Sequence, residues 1–215
     1  MVALRSIARP FIRLAEGLYR GKRVRHLLVE TVEEFDRGIP VEGVVPPLYL
    51  NIASRMENQR LNGFLAKEPE TINWLDGLGE GDLLLDIGAN IGVYSLYAAR
   101  VHGARVVAME PESQNFAALN SNIYLNRLSS WIVAYPLAAS SADESTILYL
   151  SRFETGQSNH NIDESISDRG NHYEAALAQG TYAVSMDGFF NLDQPETHPR
   201  FIKIDVDGAE RKVVD

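Results

Sequence analysis

The stretch LLLDIGANIGVYS, residues 83–95, decides the fold of this chain. Three leucines followed by an acid are typical of a buried parallel strand that ends at the carboxyl edge of a sheet. Gly88, Asn90 and Gly92 predict a tight turn, and the apolar spacing from Ile91 onward predicts a helix. A strand, a glycine turn and a helix in this order indicate the opening unit of a doubly wound α/β sheet.

The sequence of the turn limits the class of ligand that such a unit would bind. It reads G-x-N-x-G and does not match the G-x-G-x-x-G fingerprint of dinucleotide-binding folds. Asp86 precedes the first glycine by two residues, where a carboxylate would repel a pyrophosphate. We expect Asp86 to face positively charged or hydroxyl groups instead, which disfavours an NAD-dependent oxidoreductase, although that class stays an alternative.

A second acid follows the next apolar run. Glu110 comes directly after the strand-like residues 106–109 and lies 18 residues beyond Gly92. This spacing is typical of an acid at a neighbouring strand end that accepts hydrogen bonds from both ribose hydroxyls. The alternative is that Asp86 and Glu110 only cap helices or turns.

Three blocks together resemble a known family. DIGANIGVYSLYAA (residues 86–99), AMEPESQNFAALNSNIYLN (108–126) and FIKIDVDGAE (201–210) look like the FkbM family of S-adenosylmethionine-dependent methyltransferases. The resemblance implies the Rossmann-like class I methyltransferase fold, with S-adenosyl-L-methionine lying across the strand ends and Glu110 on its ribose. The cofactor-binding residues that we expect are Asp86, Gly88, Ala89, Asn90, Gly92, Tyr94, Ser95, Glu110, Pro111, Asn115, Ala138 and Ala139.

Two of these groups belong to the adenosine end of the cofactor. The resemblance implies that the EPES segment and Asn115 lie beside the ribose and adenine, and that the adenine passes Ala138 and Ala139. Small residues let a flat ring approach the backbone, although they could instead only pack against a helix. We expect Asn120 and Asn122 to lie on the helix surface.

The third block supplies the candidate catalytic residue. Lys203 lies between apolar neighbours in a predicted strand, so it requires an ion pair to Asp205 or to Asp86. Asp205 lies at the predicted carboxyl end of that strand, and the resemblance implies that this end faces the reacting methyl group. Asp205 is therefore the candidate general base, and His160 and His172 are the alternatives.

Metal binding at the same strand end is an open alternative. Asp205 and Asp207 could together bind a divalent cation, or Asp207 could cap the helix that follows. The two histidines show no metal-binding spacing, so we predict no metal site.

The resemblance implies O-methylation of a hydroxyl on a sugar, a polysaccharide or a secondary metabolite. Residues 152–180 are polar and rich in Ser, Asn, Asp and Gly, and we interpret them as the segment that recognises this acceptor. A non-catalytic binding or scaffold module with the same fold is the remaining alternative.

Charge is distributed unevenly over the 215 residues. The chain has no cysteine and a net charge of -9, yet residues 1–26 contain seven Arg or Lys and one acid. The acidic remainder argues against a nucleic-acid partner. The basic start predicts a short amphipathic helix, which we expect to dock on the domain or on a second subunit rather than on a membrane. Without an apparent signal peptide or membrane span, a cytoplasmic location is the default expectation.

The glycines before residue 83 separate two predicted regions. Residues 1–80 are expected to form the basic helix and a flank or lid, and residues 81–215 the cofactor-binding domain. The resemblance implies a sheet of seven strands, three of them after residue 215. We therefore expect the sheet to be truncated before its C-terminal strands, and the alternative is that the N-terminal region substitutes for them.

Overall fold

The computed structural model describes residues 38–158, 160–162, 173–190, 198–206 and 210–214. The predicted basic helix, His172 and Asp207 lie outside the described residues. Docking of this helix on the domain or on a second subunit, rather than on a membrane, therefore remains a prediction. Among the described residues, no helix combines the length and apolarity needed to cross a membrane.

A four-stranded parallel sheet forms the centre of the fold. Its strands are β3 (Leu83–Ile87), β4 (Arg105–Met109), β5 (Ile132–Tyr135) and β10 (Phe201–Ile204), in the spatial order β10-β3-β4-β5. From β3 the chain moves outward to β4 and β5 and later returns to the other side of β3. The predicted Rossmann-like, doubly wound arrangement is confirmed, and its strand order reverses between β3 and β10.

Two helices connect the first three strands of this sheet. These are α3 (Val93–His102), which follows Gly92, and α4 (Ser113–Leu125). Leu96 and Leu119 are fully buried and belong to one apolar cluster with Leu84 of β3. The helices therefore cover one face of the sheet and fix the loops at its carboxyl edge.

The flank before β3 consists of a short hairpin and two helices. They are β1 (Ile39–Pro40), β2 (Tyr49–Leu50), α1 (Arg55–Lys67) and α2 (Pro69–Leu75). Leu48 and Leu75 belong to the same buried cluster as Leu84. The flank thus packs directly on the helical layer, while the boundary between residues 80 and 81 remains a prediction.

An asparagine of α4 and the asparagine that caps its C-terminus join this flank to the domain. Asn122 is fully buried. Its side chain accepts from the backbone amide of Asn51 at 2.8 Å and donates to the backbone carbonyl of Ile91 at 3.0 Å. Asn126 exchanges two hydrogen bonds with the backbone of Tyr49. The surface position predicted for Asn122 is wrong, because this amide satisfies two backbone groups that packing removes from water. Asn120 is exposed, as predicted.

A second sheet lies beyond β5. It contains β6 (Ala138–Ala139), β7 (Glu144–Leu150), β8 (His160–Ile162) and β9 (Leu177–Val184), in the order β6-β9-β7-β8. β7 pairs antiparallel with both β8 and β9. The described parts of the predicted acceptor segment therefore include β8 and the start of β9. Two short helices, α5 (Met186–Phe189) and α6 (Glu210–Val214), complete the described elements.

Candidate active site

A cleft of about 690 Å³, including its open mouth, lies at the carboxyl ends of β3, β4 and β10. Open α/β sheets bind ligands at such a point, where the strand order reverses. Eight of the predicted site residues line it: Gly88, Asn90, Glu110, Pro111, Asn115, Ala138, Ala139 and Asp205. These residues come from four separate segments, which the fold brings together.

Gly88 allows the loops after β3 and β10 to touch. Its φ is +77°, and a side chain at this position would overlap the Asp205 carbonyl oxygen. The amides of Gly88 and Ala89 both donate to the Met109 carbonyl at 2.9 Å, which ties the turn to the end of β4. Only glycine satisfies both the conformation and the close approach.

Glu110 is the acid at the edge of the cleft. One carboxylate oxygen accepts from the backbone amide of Asn90 at 2.7 Å, and the other accepts from the backbone amide of Glu112 at 2.9 Å. Burial raises the pKa of Glu110 to about 7, although the two amides partly oppose the rise. A carboxylate has about four acceptor sites, so Glu110 keeps capacity for ligand hydroxyls after binding both amides.

The alternative capping role belongs mainly to the neighbouring acid. Glu112 is buried and accepts from the amides of Gln114 and Asn115 at 2.9 and 2.8 Å, which caps the start of α4. Glu110 therefore binds two backbone amides in the loops at the cleft, whereas Glu112 caps the start of α4.

Asp86 differs from the expectation that it faces a ligand. It is fully buried, accepts from the Ser95 hydroxyl at 2.6 Å, and lies 3.4 Å from the Lys203 ammonium. The strand register explains this placement, because Asp86 pairs with Ala108, whereas Glu110 follows Met109. The Asp86 carboxylate thus lies below the cleft rather than among its lining residues.

Lys203 links Asp86 to the catalytic candidate. Its ammonium lies 3.2 Å from the Asp205 carboxylate as well, so both predicted ion pairs are present. Burial lowers the pKa of Lys203, but the two carboxylates outweigh that effect and raise it. Lys203 therefore stays protonated and holds Asp205, whose side chain is 54% exposed, at the edge of the cleft.

Four other predicted cofactor residues do not line the cleft: Ala89, Gly92, Tyr94 and Ser95. Ala89 is buried within the turn. Gly92 has a φ of +88° and packs against Leu119, so it shapes the start of α3. Tyr94 donates to Glu68 at 2.8 Å and lies under Lys203, 5.0 Å from its ring centre to the ammonium. Burial raises the pKa of Tyr94, so this hydroxyl stays protonated.

Residues 154–158, here called the strap, form a wall of the cleft. The sequence patterns did not predict this role. The Gln157 carbonyl accepts from the side chains of Asn90 and Asn115 at 2.9 and 3.1 Å. The Gly156 amide donates to Asn115 at 2.7 Å, and its carbonyl accepts from Arg60 at 2.7 Å. A glycine within a polar segment was the available signal, but nothing local connects it to residues 60, 90 and 115.

The wall beside Ala138 and Ala139 is largely apolar. It includes Leu137, Leu148 and Ile162, together with the half-buried His160. Burial lowers the pKa of His160, so its imidazole is neutral at pH 7. Within the part of the chain that the structure describes, no three His, Asp or Glu side chains converge as metal ligands.

Comparisons with solved structures give low scores. TYW2 of Pyrococcus horikoshii in complex with MeSAdo is 20% identical, with 49% of this chain and 40% of that chain covered and a TM-score of 0.34. A SAM-dependent methyltransferase from Thiobacillus denitrificans in complex with S-adenosyl-L-homocysteine is 14% identical, with 40% and 43% covered and a TM-score of 0.31. The fold assignment therefore rests on the strand order and not on these similarities.

Sequence comparisons are more specific. The chain is 43% identical over 53 residues to 31-O-demethyl-FK506 methyltransferase FkbM of Streptomyces tacrolimicus, a match that covers 24% of this chain and 20% of that relative. The chain thus matches about a fifth of the length of this curated relative. The family model described as Methyltransferase FkbM domain matches residues 86–215. Because this match includes more than half of the chain, the protein belongs to the family of methyltransferase FkbM domains.

Proposed function

We propose that this chain binds S-adenosyl-L-methionine in the cleft and that it methylates a hydroxyl group. Family membership supports the reaction class, and Glu110 supports the cofactor most directly. Its buried carboxylate is fixed by two backbone amides at the cleft edge, with acceptor capacity left for two ribose hydroxyls. The glycine turn supports the same assignment, because it places Gly88 and Asn90 in the lining of the cleft.

The ends of the cleft suggest an orientation for the cofactor. The apolar wall of Leu137, Ala138 and Leu148 suits an adenine ring. Asp205 and Val206 lie at the opposite side of the reversal point, where we place the reacting methyl group.

The chain's own residues mainly have to position the reactants. When bound, S-adenosyl-L-methionine supplies a methyl group that is already activated for attack by an oxygen nucleophile. Asp205, held by Lys203 at 3.2 Å, is the proposed base that takes the hydroxyl proton onto its carboxylate. The neutral imidazole of His160 is the second candidate, because it also lines the cleft.

The proposed acceptor is a hydroxyl of a sugar, a polysaccharide or a secondary metabolite. The name of the S. tacrolimicus relative specifies an O-demethyl compound, which supports an oxygen acceptor. The net charge of -9 disfavours a nucleic acid, whose phosphates would be repelled.

Titration calorimetry tests the cofactor assignment. We expect S-adenosylmethionine and S-adenosylhomocysteine to bind and NAD not to bind. Glu110→Gln should weaken S-adenosylhomocysteine at least roughly tenfold, because charge-assisted hydrogen bonds to the ribose are lost. Glu144→Gln, at an exposed position in β7, is the matched control. Binding of NAD alone, or unchanged affinity of Glu110→Gln with the fold retained, contradicts the proposal.

Transfer of a labelled methyl group to a panel of monosaccharides, a hydroxylated macrolide and RNA tests the acceptor class. Asp205→Asn should reduce transfer while leaving the affinity for S-adenosylhomocysteine within about twofold, because a base acts on the acceptor and not on cofactor binding. If His160→Gln abolishes transfer and Asp205→Asn does not, His160 is the base. Methylation of RNA alone would overturn the proposed acceptor.

A further inference from the structure

Arg60 is the only cationic side chain among the described residues that line the cleft. It comes from α1 in the flank, not from the sheet that provides most of the site. The other charged lining residues are Glu110 and Asp205, both acidic. Lys203 lies nearby but contacts the carboxylates of Asp86 and Asp205.

The strap fixes the position of Arg60. The Arg60 Nε donates to the Gly156 carbonyl at 2.7 Å. Burial raises the pKa of Glu110, and the positive charge of Arg60 partly opposes that rise, so the guanidinium lies within electrostatic reach of the acid in the cleft. One of the five guanidinium donors is thus used by the strap, and the two terminal amino groups can form a forked contact.

The proposed cofactor contains a group that this cleft would otherwise repel. The amino-acid portion of the cofactor carries a carboxylate, and two of the three charged side chains that line the cleft are also carboxylates. A third carboxylate in a cleft that already contains Glu110 and Asp205 is stabilised by a cation nearby. A guanidinium matches the planar geometry of a carboxylate and can bind it in a bidentate manner.

We propose that Arg60 binds the carboxylate at the amino-acid end of S-adenosyl-L-methionine. The inference rests on the proposed function and extends it, since it makes α1 of the flank part of the cofactor site. The cleft then recognises the cofactor at two charged points, with Glu110 at the ribose and Arg60 at the amino-acid end.

A purely structural role for Arg60 predicts a different result. If Arg60 only anchors the strap, its loss would disturb Gln157 and, through it, Asn90 and Asn115. Every adenosine ligand would then bind more weakly. If Arg60 binds the carboxylate, only ligands that contain a carboxylate are affected.

Calorimetry with two ligands separates these roles. S-adenosylhomocysteine contains the amino-acid end, and 5′-methylthioadenosine shares the adenosine thioether but lacks that end. Arg60→Met should weaken S-adenosylhomocysteine roughly 10- to 100-fold, the loss expected for a charge-assisted pair, and leave 5′-methylthioadenosine within about twofold. Arg60→Lys should restore part of the loss, because it keeps the charge without the fork.

Arg100→Met is the matched control, because the Arg100 Nε also donates to a backbone carbonyl, that of Pro47, at 2.9 Å. Its affinity for both ligands should equal that of the wild type. Equal weakening of both ligands by Arg60→Met, or unchanged affinity for S-adenosylhomocysteine, overturns the inference. A wild-type protein that binds neither ligand would instead overturn the proposed function itself.

Discussion

The ends of β3 and β4 present the same pattern in the sequence, an apolar run closed by an acid, yet the two acids have different environments. Asp86 is neutralised by the side chain of Lys203 and has no access to the cleft. Glu110 is bound by backbone amides and lines the cleft. An acid balanced by a buried cation supports the fold, whereas an acid balanced only by amide dipoles keeps capacity for a ligand.

Register produces the difference. Asp86 lies opposite Ala108, so it is two residues deeper in the sheet than Glu110. At about 3.3 Å per residue, this offset is roughly 7 Å, enough to separate the interior of the sheet from its edge. The same face of the sheet thus holds a structural acid below and a candidate ligand-binding acid above.

Removing the cation beneath the cleft should produce the largest effect. Lys203→Met leaves the fully buried Asp86 carboxylate without its counter-ion, and removal of one partner of a buried pair costs about 3–5 kcal/mol. We expect a loss of unfolding free energy of that size in urea titrations. The double variant Lys203→Met with Asp86→Asn should recover much of the loss, because no charge is then left buried. A loss below about 1 kcal/mol for the single variant would show that Asp86 does not depend on Lys203.

The raised pKa of Glu110, the acid that follows β4, should make the unfolding free energy depend on pH. The pKa of Glu110 is raised to about 7 from an ordinary value of 4.5, so the folded state binds more protons than the unfolded state between these values. Stability should therefore fall as pH rises from about 4.5 to about 7, by about 3 kcal/mol at most, and should change little through this group above that window. Glu110→Gln should lack this fall when both proteins are unfolded in urea at pH 5, 6, 7 and 8.

Ligand affinity should change in the opposite direction. Ribose hydroxyls donate to the ionised carboxylate, so S-adenosylhomocysteine should bind about tenfold more tightly at pH 8 than at pH 6. A flat affinity profile, or a stability profile that is identical in Glu110→Gln, would show that Glu110 is ionised throughout and behaves like Asp86.

Much of the central fold could be predicted from the sequence, because local patterns determine it. The apolar runs at β3 and β4 and the helix that follows the glycine turn are confirmed at nearly the predicted positions. The ion pairs of Lys203 are also confirmed, since a lysine inside an apolar strand leaves few alternatives. Local periodicity and the cost of an unpaired charge were sufficient for these features.

The remaining features depend on contacts between distant segments. The depth of Asp86 in the sheet follows from the register between β3 and β4. Both strands are apolar runs in the sequence, and such runs do not specify the register in which they pair. The burial of Asn122 depends on Asn51, and the position of Arg60 depends on Gly156. These partners are 71 and 96 residues apart, and no local pattern identifies them.

The smallest expected effect compares the hydroxyl partner of Asp86 with that of Glu112, the acid that caps α4. Ser95→Ala removes the 2.6 Å hydrogen bond to Asp86 in the buried interior, and hydrogen bonds to charged groups contribute about 1.5–3 kcal/mol. Ser113→Ala removes a 3.2 Å hydrogen bond to Glu112 at an exposed position beside the end of β4, where the cost should stay below about 0.5 kcal/mol. Urea unfolding of the two variants should therefore differ by at least about 1 kcal/mol. Equal losses would mean that Lys203 alone satisfies the Asp86 carboxylate and that the hydrogen bond from Ser95 adds no stability to the interior below the cleft.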